Sequence, residues 1–124
     1  MRVFVNKPFA RFAGKADISR DVLCGAVRRA EAGLIDADLG GGVIKQRIAR
    51  PGQGRSGSYR TVVLFRRAER AFFVYGYAKN DIADIAPDDL KGFRRLAALM
   101  LVLDDTDLAR VLATGTLTEL DCHA

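Results

Sequence analysis

Four cations in the middle of the chain have the residue types and the spacing to act on a phosphodiester. They are Lys45, Arg47, Arg60 and Lys79, with Tyr59 and Tyr77 beside them in the sequence. Lys45 and Arg47 are two residues apart, so a β-strand through them points both side chains to one face of a sheet. A guanidinium binds phosphate oxygens through two parallel hydrogen bonds and keeps its charge at any cellular pH. This set therefore indicates a phosphate-binding site without acidic partners.

Basic charge is concentrated in one stretch of the sequence. The chain of 124 residues carries 20 Lys and Arg against 15 Asp and Glu, a net charge of +5. Residues 45–70 hold eight of the basic side chains and one acidic side chain, Glu69, whereas residues 81–107 are mainly acidic. An arginine-rich stretch is the electrostatic signature of a nucleic-acid-binding protein. Charge alone leaves open the alternative of a solvated basic face on an ordinary domain.

Length and composition exclude several classes of protein. The chain fits a single domain over residues 1–124, and its 49% hydrophobic content is typical of a globular protein. No apolar run approaches the ~18 residues of a membrane span, and the N-terminus lacks the apolar core of a signal peptide. Cys24 and Cys122 are far apart and have no ligand spacing, which predicts a reduced cytosolic chain without metal or cofactor. His123, the only histidine, is not expected to act in catalysis.

Hydrophobic periodicity predicts helices on both sides of the central segment. Apolar spacing of three and four residues indicates one helix over residues 8–15 and another that begins after an N-cap at Ser19 and ends at Gly33. A wide apolar stripe after Pro87 and a short helix over residues 105–113 follow later in the chain.

Three strands are predicted between these helices, because the segments are rich in β-branched and aromatic residues. They cover residues 43–50, 58–66 and 71–79, with a glycine-rich turn before them at 36–42 and a tail or edge strand at 117–120. A glycine-bearing loop at 51–58 and a short connection at 67–70 predict antiparallel hairpins. Strands gathered between helices indicate an α+β fold, with a small twisted antiparallel sheet and helices packed around it.

Strand alternation sorts the side chains by face. Lys45 and Arg47 share one face, which is too charged to be the buried one, and Arg60 shares a face with Val62 and Leu64. On the third strand the residues predicted to share a face are Phe73, Tyr75, Tyr77 and Lys79. The four cations can then meet on one open face. Ordinary exposed strand residues are the alternative, but like charges on neighbouring strands repel each other, and no acidic residue lies between positions 43 and 66.

Four motifs around these residues occur in one order along the chain. They are a K-x-R strand at Lys45 and Arg47, a glycine-bearing loop, an S-G-S-Y-R sequence that ends at Arg60, and an aromatic strand that ends at Lys79. This combination resembles the RelE/ParE toxin superfamily over nearly the whole chain, and most closely the RelE-type toxins of the HigB kind.

The resemblance implies a cytoplasmic, metal-independent endoribonuclease of a type II toxin–antitoxin pair, with no membrane association. Such toxins enter the ribosomal A site and cut the message, and their partner is an antitoxin, usually a helix-turn-helix protein for the HigB kind. RNA supplies its own nucleophile, the 2′-OH, so the enzyme must align it, remove its proton, stabilise the phosphorane and protonate the leaving 5′-oxygen. The resemblance matches Lys45, Arg47, Arg60 and Lys79 to basic residues of the family. The hypothesis for the mechanism puts Lys45 or Tyr77 at the 2′-OH, Arg47 and Arg60 at the phosphate, and Lys79 at the leaving group or the RNA backbone.

The remaining basic residues are expected to contact ribosomal RNA. This set consists of Lys7, Arg11, Arg50, Arg55, Arg66 and Arg67, together with Tyr59. Two alternatives stay open: a ParE-like toxin that inhibits DNA gyrase without cleaving RNA, and a non-catalytic nucleic-acid-binding module. The cluster of cations favours the endonuclease, because a gyrase inhibitor does not need it.

Overall fold

A six-stranded sheet between two layers of helices forms the described part of the computed structural model, which covers residues 1–50, 54–78 and 85–123. At residues 50 and 54–57 it describes the main chain alone. The elements in chain order are β1 (Arg2–Asn6), α1 (Lys7–Lys15), α2 (Arg20–Glu31), β2 (Ala37–Gly40), β3 (Val43–Arg50), β4 (Gly54–Arg66), β5 (Arg70–Ala78), α3 (Pro87–Met100), α4 (Asp105–Ala113) and β6 (Leu117–Leu120). The predicted α+β class is confirmed. No helix of the described residues has the length and apolar character to cross a membrane.

The strands lie in the order β2-β3-β4-β5-β1-β6. The two hairpins β3–β4 and β4–β5 are antiparallel as predicted, but β1 runs parallel to β5, so the sheet is mixed. Sequence patterning missed β1 because its core, Val3 to Val5, is buried on both faces and shows no alternation. It also missed β2, whose Asp38 and Gly40 are poor strand formers, and predicted a turn there.

Each face of the sheet has its own core. The first face, which carries Ile44, Ile48 and Val63, packs against α1 and α2. The second face, which carries Val62 and Leu64, packs against α3 and α4. The helices on the second face cover Val43, Val62 and Leu64. Lys45, Arg47 and Arg60 follow toward the C-terminal end of β3 and the N-terminal end of β4.

A β-bulge in β5 changes which side chains share a face. Val62 is opposite Tyr75, but the next residue, Val63, is opposite Phe73, so Val74 is an extra residue. The prediction that Phe73 and Tyr75 share a face is therefore wrong, because an extra residue reverses the alternation beyond it. Phe73 packs into the first face, while Tyr75 lies with the second. The carbonyl of Val74 accepts a hydrogen bond of 3.2 Å from the Asn6 side chain.

Local capping signals set the helix bounds. The Ser19 side chain accepts the amide of Val22, and Gly33 has the left-handed conformation (φ 86°), as predicted. The last helix begins after an N-cap at Asp104. β4 begins at Gly54, four residues before the predicted start, so the predicted loop is shorter, and its residues 51–53 lie outside the described ranges.

The prediction of two reduced cysteines is wrong. Cys24 of α2 and Cys122, just after β6, form a disulfide with their Cα atoms 5.5 Å apart. Cys24 is only 2% exposed, as expected for a core residue. Their sequence separation of 98 residues concealed the pairing, because the long-range pairing of β6 with β1 is what brings Cys122 near α2.

Candidate functional site

Three adjacent strands bring Arg47, Arg60 and Tyr77 into one row on the second face. Arg47 of β3 is directly opposite Arg60 of β4, and Arg60 is directly opposite Tyr77 of β5. Lys45 lies two residues before Arg47, opposite Val62, and therefore on the same face. We call Lys45, Arg47, Arg60 and Tyr77 the basic row. Strand alternation placed the three cations on one face, and the strand register makes them neighbours.

The two arginines of the basic row are as close as neighbouring strands permit. The amide and carbonyl of Arg47 both bond to groups on the side away from β4. Arg47 and Arg60 therefore form a non-hydrogen-bonded pair, in which Cα atoms are only about 4.5 Å apart. Like charges in such a pair destabilise the sheet. Among the described residues neither arginine forms an ion pair with a carboxylate, so their repulsion is not neutralised there.

Arg60 is held in place by a neutral group. Its Nη1 donates a hydrogen bond of 2.5 Å to Oγ of Ser58, which is 3% exposed and two residues earlier on the same strand. A hydroxyl acceptor restricts the guanidinium without cancelling its charge. Sequence reasoning used Ser58 only as part of the S-G-S-Y-R motif and assigned it no function.

Aromatic side chains form one side of the basic row. The Tyr77 ring is 5% exposed and lies 5.7 Å from the Tyr75 ring, which lies 5.9 Å from the Phe93 ring of α3. Burial of this kind fixes the ring of Tyr77 and removes most water from it. The bulge in β5 puts both tyrosines on this face.

The side chain of Gln46 fastens β3 to α2 and to the loop before β2. Gln46, between Lys45 and Arg47, is 1% exposed, and its Nε2 donates to the carbonyls of Ala26 and Leu34 at 3.0 and 3.2 Å. Its Oε1 accepts the amide of Asp36 at 2.8 Å. Sequence reasoning missed these residues because a buried glutamine and a loop aspartate carry no motif.

Several predicted binding residues lie away from the basic row. Tyr59 is on the first face, where its ring meets Phe12 edge-to-face at 5.3 Å, so it is not beside the cations as expected. Lys7 and Arg11 are exposed on α1, in the helical layer of that same face.

The arginines at the β4–β5 turn are also distant. Arg66 is six residues beyond Arg60 on β4, which is about 20 Å along an extended strand. Arg66 pairs with Glu69 at 2.5 Å, and Arg67 is exposed in the turn. The side chains of Arg50 and Arg55, and all of Lys79, lie outside the described residues. The described basic residues of segment 45–70 are therefore divided between two ends of the sheet.

Comparison with protein families gives a match over nearly the whole chain. A family model described as the RelE toxin of the RelE/RelB toxin–antitoxin system matches residues 1–120. A search of curated proteins found no match.

Proposed function

This chain belongs to the RelE family of toxins of toxin–antitoxin systems, and from that premise we propose that it arrests translation by cutting messenger RNA in the ribosomal A site. We also propose that the chain belongs to the HigB-like branch of the family, that its partner is a helix-turn-helix antitoxin and that it acts in the cytoplasm. The observation that carries it is the basic row, where two arginines without an ion-pair partner among the described residues face each other beside a buried tyrosine. Repulsion of this kind is tolerated where a polyanion binds.

Cleavage follows from the chemistry of the row. Arg47 and Arg60 bind the scissile phosphate and stabilise the charge of the phosphorane. Lys45 or Tyr77 takes the proton of the 2′-OH, and Lys79 protonates the leaving 5′-oxygen or holds the RNA backbone. The reaction is a transfer within the RNA: the 2′-oxygen bonds to phosphorus as the bond to the 5′-oxygen breaks. A metal ion is not required in this scheme.

The other basic residues hold the toxin on the ribosome in this proposal. They are Lys7, Arg11, Arg50, Arg55, Arg66 and Arg67, with Tyr59. Contacts to an RNA backbone release counterions, so affinity for the ribosome falls steeply as salt is raised. An affinity that is independent of salt would contradict this part of the proposal.

Replacement of Arg60 by alanine tests the proposed function. We expect Arg60→Ala to slow cleavage of translated mRNA by about 10²–10³-fold, the usual effect of removing one donor to a developing oxyanion. Primer extension on messages isolated after induction measures the cuts, and Arg28→Ala, which removes an exposed arginine on α2, is the matched control.

Two results would contradict the proposal. Cleavage by Arg60→Ala at the wild-type rate would remove Arg60 from the mechanism. Intact messages together with blocked DNA supercoiling after induction of the wild-type protein would favour the ParE-like alternative.

A further inference from the structure

The outer edge of β3 loses its strand partner just before Arg47. β2 pairs with β3 from Val43 to Lys45 and begins at Ala37, which is opposite Lys45. In an antiparallel ladder the next residue of β3 to bond toward β2 is Arg47. No residue of β2 is left to receive its amide and carbonyl, so these two groups need other partners.

Two side chains replace the missing strand. Oδ2 of Asp36, the residue immediately before β2, accepts the amide of Arg47 at 2.6 Å. Nη2 of Arg29, on α2, donates to the carbonyl of Arg47 at 2.5 Å. Both bonds involve a charged group, and such bonds are about twice as strong as neutral ones. The main chain that carries the Arg47 side chain is thus fixed on the side away from Arg60.

Asp36 is itself fixed by Gln46. The amide of Asp36 donates to Oε1 of Gln46, whose Nε2 is anchored to α2 and to the loop that follows it. Thr61 of β4 donates through Oγ1 to the carbonyl of Gln46 at 2.9 Å. Gln46 and Arg47 of β3 are therefore tied to α2, to the loop before β2 and to β4.

We propose that Asp36 is a positioning residue for RNA cleavage, which keeps the Arg47 guanidinium in register with Arg60 against their mutual repulsion. This inference rests on the proposed function, since it concerns the geometry of the same row. Asp36 touches neither the RNA nor the reacting atoms. It acts through the main chain of Arg47, and a shift of about 1 Å at a reacting group can reduce a rate 10²-fold.

The test uses three variants of the full chain. Asp36→Ala removes the acceptor, Asp36→Asn keeps an amide oxygen as acceptor and removes the charge, and Asp38→Ala is the control. Asp38 is also an exposed aspartate, and its Oδ1 accepts the amide of Gly40 and not that of Arg47. Cleavage on programmed ribosomes gives kcat and KM, and hydrogen exchange measures the protection of the Arg47 amide.

We expect Asp36→Ala to lower kcat by roughly 10- to 100-fold with KM within about threefold of wild type. Asp36→Asn should recover most of kcat, and Asp38→Ala should match wild type. In Asp36→Ala the Arg47 amide should lose protection while the amides of β4 keep theirs. A purely structural role would instead lower the folded fraction and leave kcat per folded molecule unchanged.

Three results would overturn the inference. They are a wild-type kcat for Asp36→Ala, an unchanged Arg47 amide in that variant, and an equal loss in Asp36→Asn and Asp36→Ala. A wild-type protein that cuts no translated message would overturn the proposed function itself. In that case amide exchange still decides whether Asp36 holds β3.

Discussion

Lys45 and Tyr77 differ in the features that matter for taking a proton from the 2′-OH. Lys45 is partly buried on β3 and lies on the same strand as Arg47, whereas Tyr77 is almost fully buried on β5 beside Arg60. A base must come within hydrogen-bonding distance of the proton that it removes. The two candidates stand on opposite sides of Arg60, so an RNA bound to the row can present its 2′-OH to only one of them at a time.

We expect Lys45→Met to reduce cleavage by about 10²–10⁴-fold, as loss of a general base does. Tyr77→Phe, which keeps the buried ring and its contact with Tyr75, should cost less than about tenfold. Single-turnover cleavage at saturating ribosome concentration is the measurement. If Tyr77→Phe shows the larger loss, the base is the tyrosine and Lys45 belongs with the phosphate-binding residues.

Arg2 and Glu119 join β1 to β6 through two side-chain hydrogen bonds. Arg2 donates through Nε and Nη2 to the two carboxylate oxygens of Glu119, each at 2.9 Å. These bonds hold the pKa of Glu119 below its ordinary value. The side chains are 45% and 38% exposed, so solvent screens the pair and its contribution is at most about 1 kcal/mol.

Glu119→Gln should therefore lower the free energy of unfolding by up to about 1 kcal/mol near neutral pH. A carboxyl whose pKa is lowered in the folded state stabilises the fold above its ordinary pKa and loses this effect as pH falls through the lowered value. The difference between variant and wild type should shrink to zero in acid. Urea denaturation across this range measures it, and a difference that grows in acid would contradict the assignment.

Helix α1 lies on the sheet at a position where only glycine fits. A Cβ added at Gly76 of β5 would come within 2.3 Å of Cε2 of Phe12. The Phe12 ring cannot move aside freely, because it lies between Phe9 and Tyr59, with ring centroids 5.7 and 5.3 Å away. This contact sets the height of α1 above the first face.

Gly76→Ala should destabilise the protein by about 1–3 kcal/mol, the usual cost of overpacking a core. Gly14→Ala is the control, since nothing lies within 4 Å of the added methyl group on α1, and there alanine should be neutral or stabilising by up to about 1 kcal/mol. Chemical denaturation measures both variants. Equal stability of Gly76→Ala and wild type would show that α1 can lift from the sheet at little cost.

The elements divide into those that local patterning could predict and those that it could not. The helices and the strands β3, β4 and β5 were predicted because each is long enough to show its own periodicity or β-branched composition. β1 is short and pairs only with strands far along the chain, and β2 is a four-residue strand whose Asp38 and Gly40 are poor strand formers. The bulge at Val74 has no sign in the sequence.

The site shows the same division. Alternation alone put Lys45 and Arg47 on one face, and Arg60 joined them once the register was known. Alternation also turned Tyr59 away from Arg60, as the structure has it, so the expectation that Tyr59 lies near the cations is the part that is wrong. Asp36 could not be found, because its function depends on where β2 begins rather than on any pattern of residue types.

At the scale of the whole molecule, the Cys24–Cys122 disulfide closes a loop over a sequence separation of 98 residues. A cross-link of this length removes roughly 4–5 kcal/mol of chain entropy from the unfolded state. That is a large part of the stability of a typical domain, which is about 5–15 kcal/mol.

Reduction of this disulfide should therefore lower the free energy of unfolding by roughly 4–5 kcal/mol. Guanidinium denaturation with and without a reducing agent measures the change. Cys122→Ser should unfold like the reduced protein and should not respond to the reducing agent. A wild-type midpoint that is the same under both conditions would show that the cross-link does not form in solution.

The position of β1 in the sheet has a consequence for the order of events during synthesis. β1 is made first, yet its two partners are β5 and β6, which follow about 70 and 115 residues later in the chain. Pairings between such distant segments are typical of slowly folding domains. A nascent chain that ends before Leu117 leaves one edge of β1 open, so the sheet closes only after β6 has been made. A ribosome that is still translating the residues before Leu117 thus holds a sheet whose β1 edge has no partner strand.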